Sequence, residues 1–387
     1  MNLHEFQAKQ LFREVGIPVP RSEVVDTPTA AVEAARQLGG KQWIVKAQVH
    51  AGERTAVGGV RCINDLDQLL KFSQLLLGEC LITPQNAPDG QPVNQLLIEV
   101  PFAIEHAYFL SVTIAPYSGK IVFLAANLDI SPEPELSGVV PEGYHRIEID
   151  PLLGLQDYQC RQLAVKLGLN KAVWGDFFEI LKGLYLLLIE KDLMLIEIDS
   201  LAESLEGEFA VLSAKVSVDD NALPRQAELA GLVDYSQDNF HQYLTMSHGL
   251  AFISLAGDIG CVVNGSGLAL ATLDLVQLKG GHIGKIVDVG DGVSSDDLAE
   301  ALRFVWDGGQ CRAILVNVVG GIVQCDIVAA GVLEGAKLHN VHCPIVVRME
   351  GTKADEAQAL LMQSDQHIKV IQDLDVAVML AISSVAE

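Results

Sequence analysis

Cations are scarce in this sequence. Lys and Arg total 26 against 50 Asp and Glu in 387 residues, a formal net charge of −24. That deficit excludes a general nucleic-acid binder and a basic membrane-surface protein, both of which need clustered positive charge. It leaves anionic ligands open, because a local site can be positive inside an acidic chain. No uncharged apolar run reaches the roughly 18 residues that a membrane span requires. Residues 1–12 carry Glu5 and Lys9 and lack the apolar segment of a secretory leader. The seven cysteines, at 62, 80, 160, 261, 311, 325 and 343, contain no C-x-x-C pair. No His/Cys group has the spacing of a zinc site. An odd number of scattered thiols in a large chain predicts reduced cysteines and a cytoplasmic location. Half the residues are apolar and a fifth are charged, so the chain can bury a core and is not disordered.

The length predicts two or three domains at about 150 residues each. Asn2 is placed to cap a first helix with the stripe Leu3, Phe6, Leu11 and Phe12, ended by Gly16-Ile17-Pro18. Thr27-Pro28 opens a second helix that Gly39-Gly40 closes. Strand 43–47 then feeds a glycine-bearing loop, 50–59. Helix 64–76, strands 95–100, 107–114, 120–125, 194–198 and 208–216, and a long helix near 173–190 complete an α+β pattern. From about 245 the texture changes. Five apolar strands (259–264, 286–289, 313–318, 344–348 and 368–371) alternate with helices, with glycines at the strand-to-helix turns. This pattern predicts a doubly wound parallel sheet, whose ligands sit beyond the carboxyl ends of the strands. The polar stretch 229–244 is the best boundary, so the expected domains are 1–240 and 241–387.

Chemistry is expected at the glycine turns of the second half and at two charged positions of the first. Val318-Val319-Gly320-Gly321-Ile322-Val323 runs from strand through diglycine to helix, and Asn264-Gly265-Ser266-Gly267 repeats the design. Glycines let backbone approach a ligand, and a helix start suits an anion such as phosphate. An ordinary strand-to-helix turn would look the same. Gly290-Asp291-Gly292 is a third such turn, weakened by its carboxylate. His282 follows a helix end, and the reading that suits it best is a loop histidine without function. Lys46 ends a strand just before the glycine-bearing loop and could pair with phosphates. Glu197 and Asp199 share one face of a strand and could face Mg²⁺, which takes oxygen ligands, or simply water.

These residues carry a resemblance. Residues 1–9 (MNLHEFQAK), Val45-Lys46-Ala47-Gln48-Val49-His50-Ala51-Gly52, residues 90–95, residues 195–198, Asp220-Asn221-Ala222-Leu223, Val263-Asn264-Gly265 and Gly320-Gly321-Ile322-Val323 resemble the β subunit of succinyl-CoA synthetase, in order along the whole length. The resemblance implies an N-terminal ATP-grasp domain followed by a flavodoxin-like CoA-ligase domain. It implies an α-subunit partner, in a heterodimer or heterotetramer, whose phosphohistidine carries the phosphoryl group. It implies ATP or GTP and Mg²⁺, with CoA held mainly by the α subunit. Lys46 and Glu99 are then nucleotide contacts, with Glu53, Arg54, Thr55, Phe102 and Ala107 on the same side. Glu197 serves the phosphohistidine. Asn264, Gly320, Gly321, Ile322 and Val323 line the substrate and phosphate site.

The departures from the family pattern lie mainly on the nucleotide side. The usual Gly-Arg-Gly-Lys loop reads Glu53-Arg54-Thr55-Ala56, and a carboxylate at 53 would repel phosphates if it pointed inward. A glutamate is replaced by Ala107. The metal pair, Asn and Asp in the family, reads Asp199 and Ser213. Residues 128–132 contain no glycine, and Gln324 stands where arginine is common. Two readings follow: a ligase subunit with an altered nucleotide and metal site, or a degenerate paralogue that binds without transferring phosphate.

Overall fold

Short apolar runs separated by turn residues become strands of four sheets in a computed structural model, which describes residues 1–86, 90–129, 143–237, 249–290, 292–306, 311–321, 323–364 and 367–386. The chain divides into two units, Met1–Gln237 and Asp238–Glu387. The first contains β1 (Asn2–Leu3), β2 (Ser22–Val25), β3 (Trp43–Ala47), β4 (Val60–Ile63), β5 (Cys80–Leu81), β6 (Gln91–Pro92), β7 (Leu96–Glu99), β8 (His106–Ile114), β9 (Ile121–Asn127), β10 (His145–Ile149), β11 (Leu193–Glu203) and β12 (Phe209–Val218). They form a six-stranded sheet in the order β1-β12-β11-β8-β9-β10, a four-stranded sheet β2-β7-β3-β4, and the ribbon β5-β6. All pairings in this unit are antiparallel.

The four-stranded sheet is covered by helices Pro28–Leu38 and Leu66–Leu76. Thr27 accepts a hydrogen bond from Ala30 N–H at 3.3 Å and Asp65 accepts from Gln68 N–H at 3.2 Å, so each helix starts on a side-chain cap. Ala31, Ala34, Ala35 and Leu38 on one helix, and Leu69, Phe72 and Leu76 on the other, recur at helical spacing and fill one core with Val45, Leu96 and Ile98. The long helix Trp174–Glu190 buries Phe177, Ile180, Leu181, Leu184, Leu187 and Leu188 against the six-stranded sheet.

The first helix differs from expectation. It spans Glu5–Glu14 with His4 at the N-cap, and the His4 N–H donates to Gln7 Oε1 at 2.9 Å. Asn2 is not a cap, because Asn2 and Leu3 are drawn into β1, opposite Ser217 and Val216. A strand partner 215 residues away is not visible in local periodicity.

The second unit contains β13 (Ala251–Ser254), β14 (Ile259–Val263), β15 (Ile283–Asp288), β16 (Ala313–Gly320), β17 (Ile345–Gly351) and β18 (Ile368–Val370), in the order β13-β15-β14-β16-β17-β18. Five strands are parallel, as expected. The sixth, β13, is an antiparallel edge strand that the pattern does not show, because only Phe252 among its four residues is buried. The sheet is covered on both faces. Ile259, Cys261 and Val263 point into a core with helices Ser266–Leu278 and Leu374–Ala386. Val262 points into the opposite core with helices Ser295–Trp306 and Cys325–Leu338. Among the described residues no helix is long and apolar enough to cross a membrane.

Candidate active site

Lys46 lies in β3 and is 7 % exposed. Its ammonium uses all three donors: Glu5 Oε1 at 2.8 Å, Glu99 Oε2 at 2.5 Å and the Leu212 carbonyl at 2.5 Å. Lys9, fully buried on the first helix, repeats the arrangement with Glu5 at 2.7 Å, Glu99 at 2.5 Å and Leu212 O at 2.7 Å. The other Glu5 oxygen accepts from Arg54, whose second nitrogen donates to Ala47 O at 2.8 Å. Three cations therefore meet two carboxylates, leaving one positive charge buried inside an acidic chain. Burial would raise the Glu5 carboxyl, but Lys46, Lys9 and Arg54 hold it well below the usual carboxylate range. Burial lowers Lys9, whereas Glu5 and Glu99 overcome burial and raise Lys46. Sequence reading misses Glu5 and Lys9. Their i, i+4 spacing on a short helix is the local signal, but their partners come from strands far along the chain.

Glu53 does not join this cluster. It is exposed, sits at φ +56°, and accepts from Gln85 Nε2 at 3.2 Å. The left-handed backbone here is one that glycine takes freely and glutamate takes at a cost of roughly 1–2 kcal/mol. Arg54 rather than Glu53 is the loop residue turned inward. Thr55 is exposed and Phe102 half-buried. Ala107, in β8, accepts from Leu128 N–H at 2.9 Å. Leu128 and Asp129 are described; 130–132 lie outside the described residues.

Glu197 and Asp199 share one face of β11 and reach the same cation. Lys215, on β12 opposite Glu197, lies 2.8 Å from Glu197 Oε1 and 3.5 Å from Asp199 Oδ1. Ser213 Oγ donates to Asp199 Oδ2 at 3.1 Å. Past a shift in strand register between Glu197 and Ser200, Ser213 stands opposite Ser200, the residue after Asp199. Burial raises the Glu197 carboxyl against the pull of Lys215, so it lies closer to neutral pH than a free glutamate. Two carboxylates and a hydroxyl form an all-oxygen donor set, the chemistry that hard cations select. Among the described residues there is no group of three His, Cys, Asp or Glu side chains able to hold a metal by themselves. Lys215 is missed in the sequence, although its spacing from Ser213 places both on one strand face.

In the second unit, Asn264 follows β14 and bonds to β16 through both its amide oxygen and its amide nitrogen. Its Oδ1 accepts from Val319 N–H and its Nδ2 donates to Val319 O, each at 2.9 Å. This fixes the strand end that carries Gly320 and Gly321. A Cβ on Gly320 would come within 2.7 Å of Cys325 Sγ and 3.0 Å of Val323 O, so no larger residue fits there. A Cβ on Gly321 would meet nothing within 4 Å, so this backbone faces open space. Val323 is buried, and Ile322 and Asp291 lie outside the described residues. Cys325 N–H, at the helix start, donates to Thr352 O at 3.0 Å, so that donor is not free for an anion. Asp288, which sequence reading passes over, accepts from Gly265 N–H at 2.6 Å and Gly290 N–H at 2.9 Å. Those bonds tie two of the three glycine turns to one carboxylate.

A mixed unit built on two antiparallel sheets, followed by a doubly wound sheet with turns at its carboxyl edge, is the architecture of an ATP-grasp protein joined to a CoA-ligase domain. Comparison bears this out: residues 2–203 match the ATP-grasp domain family and residues 262–383 the CoA-ligase family. The ADP-forming succinate–CoA ligase β subunit of Halorhodospira halophila is 42 % identical over 379 residues, 97 % of this chain and 96 % of that one. The same subunit of Methylobacillus flagellatus is 42 % identical over 385 residues, covering both chains fully. The chain belongs to the succinate–CoA ligase β-subunit family. ATP citrate lyase from Methanothrix soehngenii, solved with citrate and coenzyme A, shares the fold at TM-score 0.73 and 14 % identity, with 99 % of each chain covered.

Proposed function

We propose that this chain is the β subunit of an ADP-forming succinate–CoA ligase, interconverting succinate, CoA and ATP with succinyl-CoA, ADP and phosphate. The observation that carries this is the full-length similarity to those β subunits at 42 % identity, with Lys46, Glu99, Glu197, Asn264 and the diglycine turn all present. The partner is an α subunit whose histidine carries the phosphoryl group and which holds most of the CoA. The ATP-grasp domain is placed at 1–240, the ligase domain at 241–387, and the complex in the cytoplasm.

The Lys46 cluster supplies the positive charge for the nucleotide phosphates. Because all three Lys46 donors are already used, phosphate binding exchanges one protein acceptor for a phosphate oxygen, and Glu99 and Glu5 retain the geometry through Lys9. Arg54 lines the same side. Thr55, Phe102 and Ala107 flank the nucleotide, and Glu53 is held off it by Gln85. Asp199 and Ser213 would hold Mg²⁺, which neutralises phosphate charge when bound; the carboxylate of the pair stands on β11 and the hydroxyl on β12. Glu197, raised by burial, accepts and holds a proton of the incoming imidazole and orients its ring. In the ligase domain, Asn264 is a positioning residue for Gly320 and Gly321. Their backbone, with Ile322 and Val323, cradles phosphate and the acid. Catalysis is then positioning plus electrostatics.

The test uses the chain co-expressed with its α subunit and supplied with Mg·ATP or Mg·GTP. Acid-labile phosphohistidine on the α subunit, followed by thioester formation with succinate and CoA, is the expected result. Glu197→Gln should abolish phosphorylation while leaving nucleotide binding measurable by calorimetry. A folded complex that forms no phosphohistidine with either nucleotide overturns the proposal.

A further inference from the structure

Lys215 carries no step of the proposed reaction, yet Glu197 and Asp199 share it as their cation. It stands on β12, directly opposite Glu197 on β11. Its backbone is fixed: Ala214 and Val216 on either side are buried, and β12 is paired to both β1 and β11. Its ammonium donates to Glu197 Oε1 at 2.8 Å and to Asp199 Oδ1 at 3.5 Å. Ser213 Oγ donates to the other Asp199 oxygen at 3.1 Å. Both oxygens of Asp199 therefore already serve a protein donor.

Charge and exposure decide what this lysine can do. Two carboxylates and one ammonium sum to −1. Without the ammonium the pair carries −2, the charge that one divalent cation balances. Among the described residues no third His, Cys, Asp or Glu completes the pair into a metal-holding group, so each nearby charge counts. A divalent ion on Asp199 would share that carboxylate with a like charge, and the repulsion falls only inversely with distance. The cluster around Lys46 offers a contrast. There Lys9 and Lys46 are buried, and withdrawing either would strand carboxylates away from water. Here side-chain exposure is 40 % for Lys215, 25 % for Glu197 and 30 % for Asp199. The ammonium can leave Asp199 for water at the small cost of an exposed ion pair, and keep its shorter bond to Glu197.

We propose, resting on the ligase reading in which Asp199 and Ser213 hold Mg²⁺, that Lys215 sets the selectivity of the metal site. It is a tethered counter-ion that keeps a free divalent cation off Asp199 and yields to one that arrives with a nucleotide. Phosphates bring the negative charge that offsets the ammonium, and a free divalent cation does not. Lys215 thereby couples metal entry to nucleotide entry. No covalent bond changes in this exchange; one ion pair is traded for another.

The experiment titrates the full-length chain with Mn²⁺ in the absence of nucleotide and counts free Mn²⁺ by its electron paramagnetic resonance signal. Lys215→Met should bind one Mn²⁺ about tenfold or more tighter than the unmodified chain, the scale of one like charge removed from beside the ion. Lys215→Arg, which keeps the charge, should match the unmodified chain. Adding Asp199→Asn to Lys215→Met should abolish the gain, which separates it from loose binding to an acidic surface. With a saturating non-hydrolysable ATP analogue the unmodified chain and Lys215→Met should converge. If Lys215→Met fails to fold, Lys215→Gln takes its place. A purely structural lysine would move the urea midpoint and leave the Mn²⁺ affinity unchanged. Equal affinities without nucleotide overturn the proposal, as does a gain that survives Asp199→Asn or a gap that persists with the analogue. The titration needs no turnover, so it is decided separately from the phosphohistidine assay, whose failure overturns the ligase reading.

Discussion

Removing Glu5 would leave Lys9, Lys46 and Arg54 facing Glu99 alone, two unbalanced charges in a largely buried site. Breaking a buried ion pair from one side typically costs about 3–5 kcal/mol. Glu5→Ala should lose stability on that scale in urea unfolding and should also weaken nucleotide binding, because Lys46 loses a partner that aims it. An unchanged unfolding midpoint would show that the cluster is open to solvent. Glu53 predicts the opposite sign. Glu53→Gly relieves a left-handed backbone and removes no contact beyond Gln85, so stability should rise by up to about 1 kcal/mol after the entropy of the extra glycine is subtracted. A clear loss in urea unfolding would mean the Gln85 contact matters more than the backbone. At this scale the sequence showed which side chains carry charge. It could not show that Lys46 is already engaged or that Glu53 turns away, since both depend on Leu212 and Gln85, distant in the chain.

Among elements, the carboxyl end of β16 is the tightest junction. Gly320 is enclosed by Cys325, Val323 and Glu350, and Asn264 clamps the preceding residue. Gly320→Ala forces a Cβ into that space and should cost about 1–3 kcal/mol, as overpacking does, read as a lower thermal midpoint. Loss of activity without loss of stability would place the cost in ligand approach instead. The glycine turns were visible in the sequence because glycine is punctuation between apolar runs. Two features were not: the antiparallel β13, with a single buried residue, and the capture of Asn2 by β1. Each depends on a partner strand, and local periodicity reports only the face an element buries.

For the whole molecule, acid is the revealing perturbation. Burial, then the neighbouring His4, depresses the His50 imidazole from 6.5 to about 4, and burial lowers His4 also. Above pH 6.5 both folded and unfolded His50 are neutral. As pH falls from about 6.5 toward 4, the unfolded chain takes up a proton that the folded one refuses, so stability is lost across that window. The slope is a fraction of the roughly 1.4 kcal/mol per pH unit of a fully differential proton, because His50 retains some solvent contact. Urea midpoints at pH 7.5, 6.5 and 5.5 should decline, and His50→Asn should flatten the decline; an equal slope in the variant would assign it elsewhere. Most carboxylates titrate lower, so this window isolates the imidazoles.

The sequence by itself determined the acid-rich composition, the α+β half followed by the doubly wound half, the glycine turns and the family. These are local or compositional properties: periodicity records which face is buried, and glycine records where the backbone must bend. Only the tertiary structure decided which charges meet. Lys9 and Lys46 share Glu5, Glu99 and one carbonyl, and Lys215 bridges Glu197 and Asp199. Each of these meetings is set by strand register or by packing between elements far apart in the chain, and a one-residue shift in register would turn every side chain of a strand to the other face.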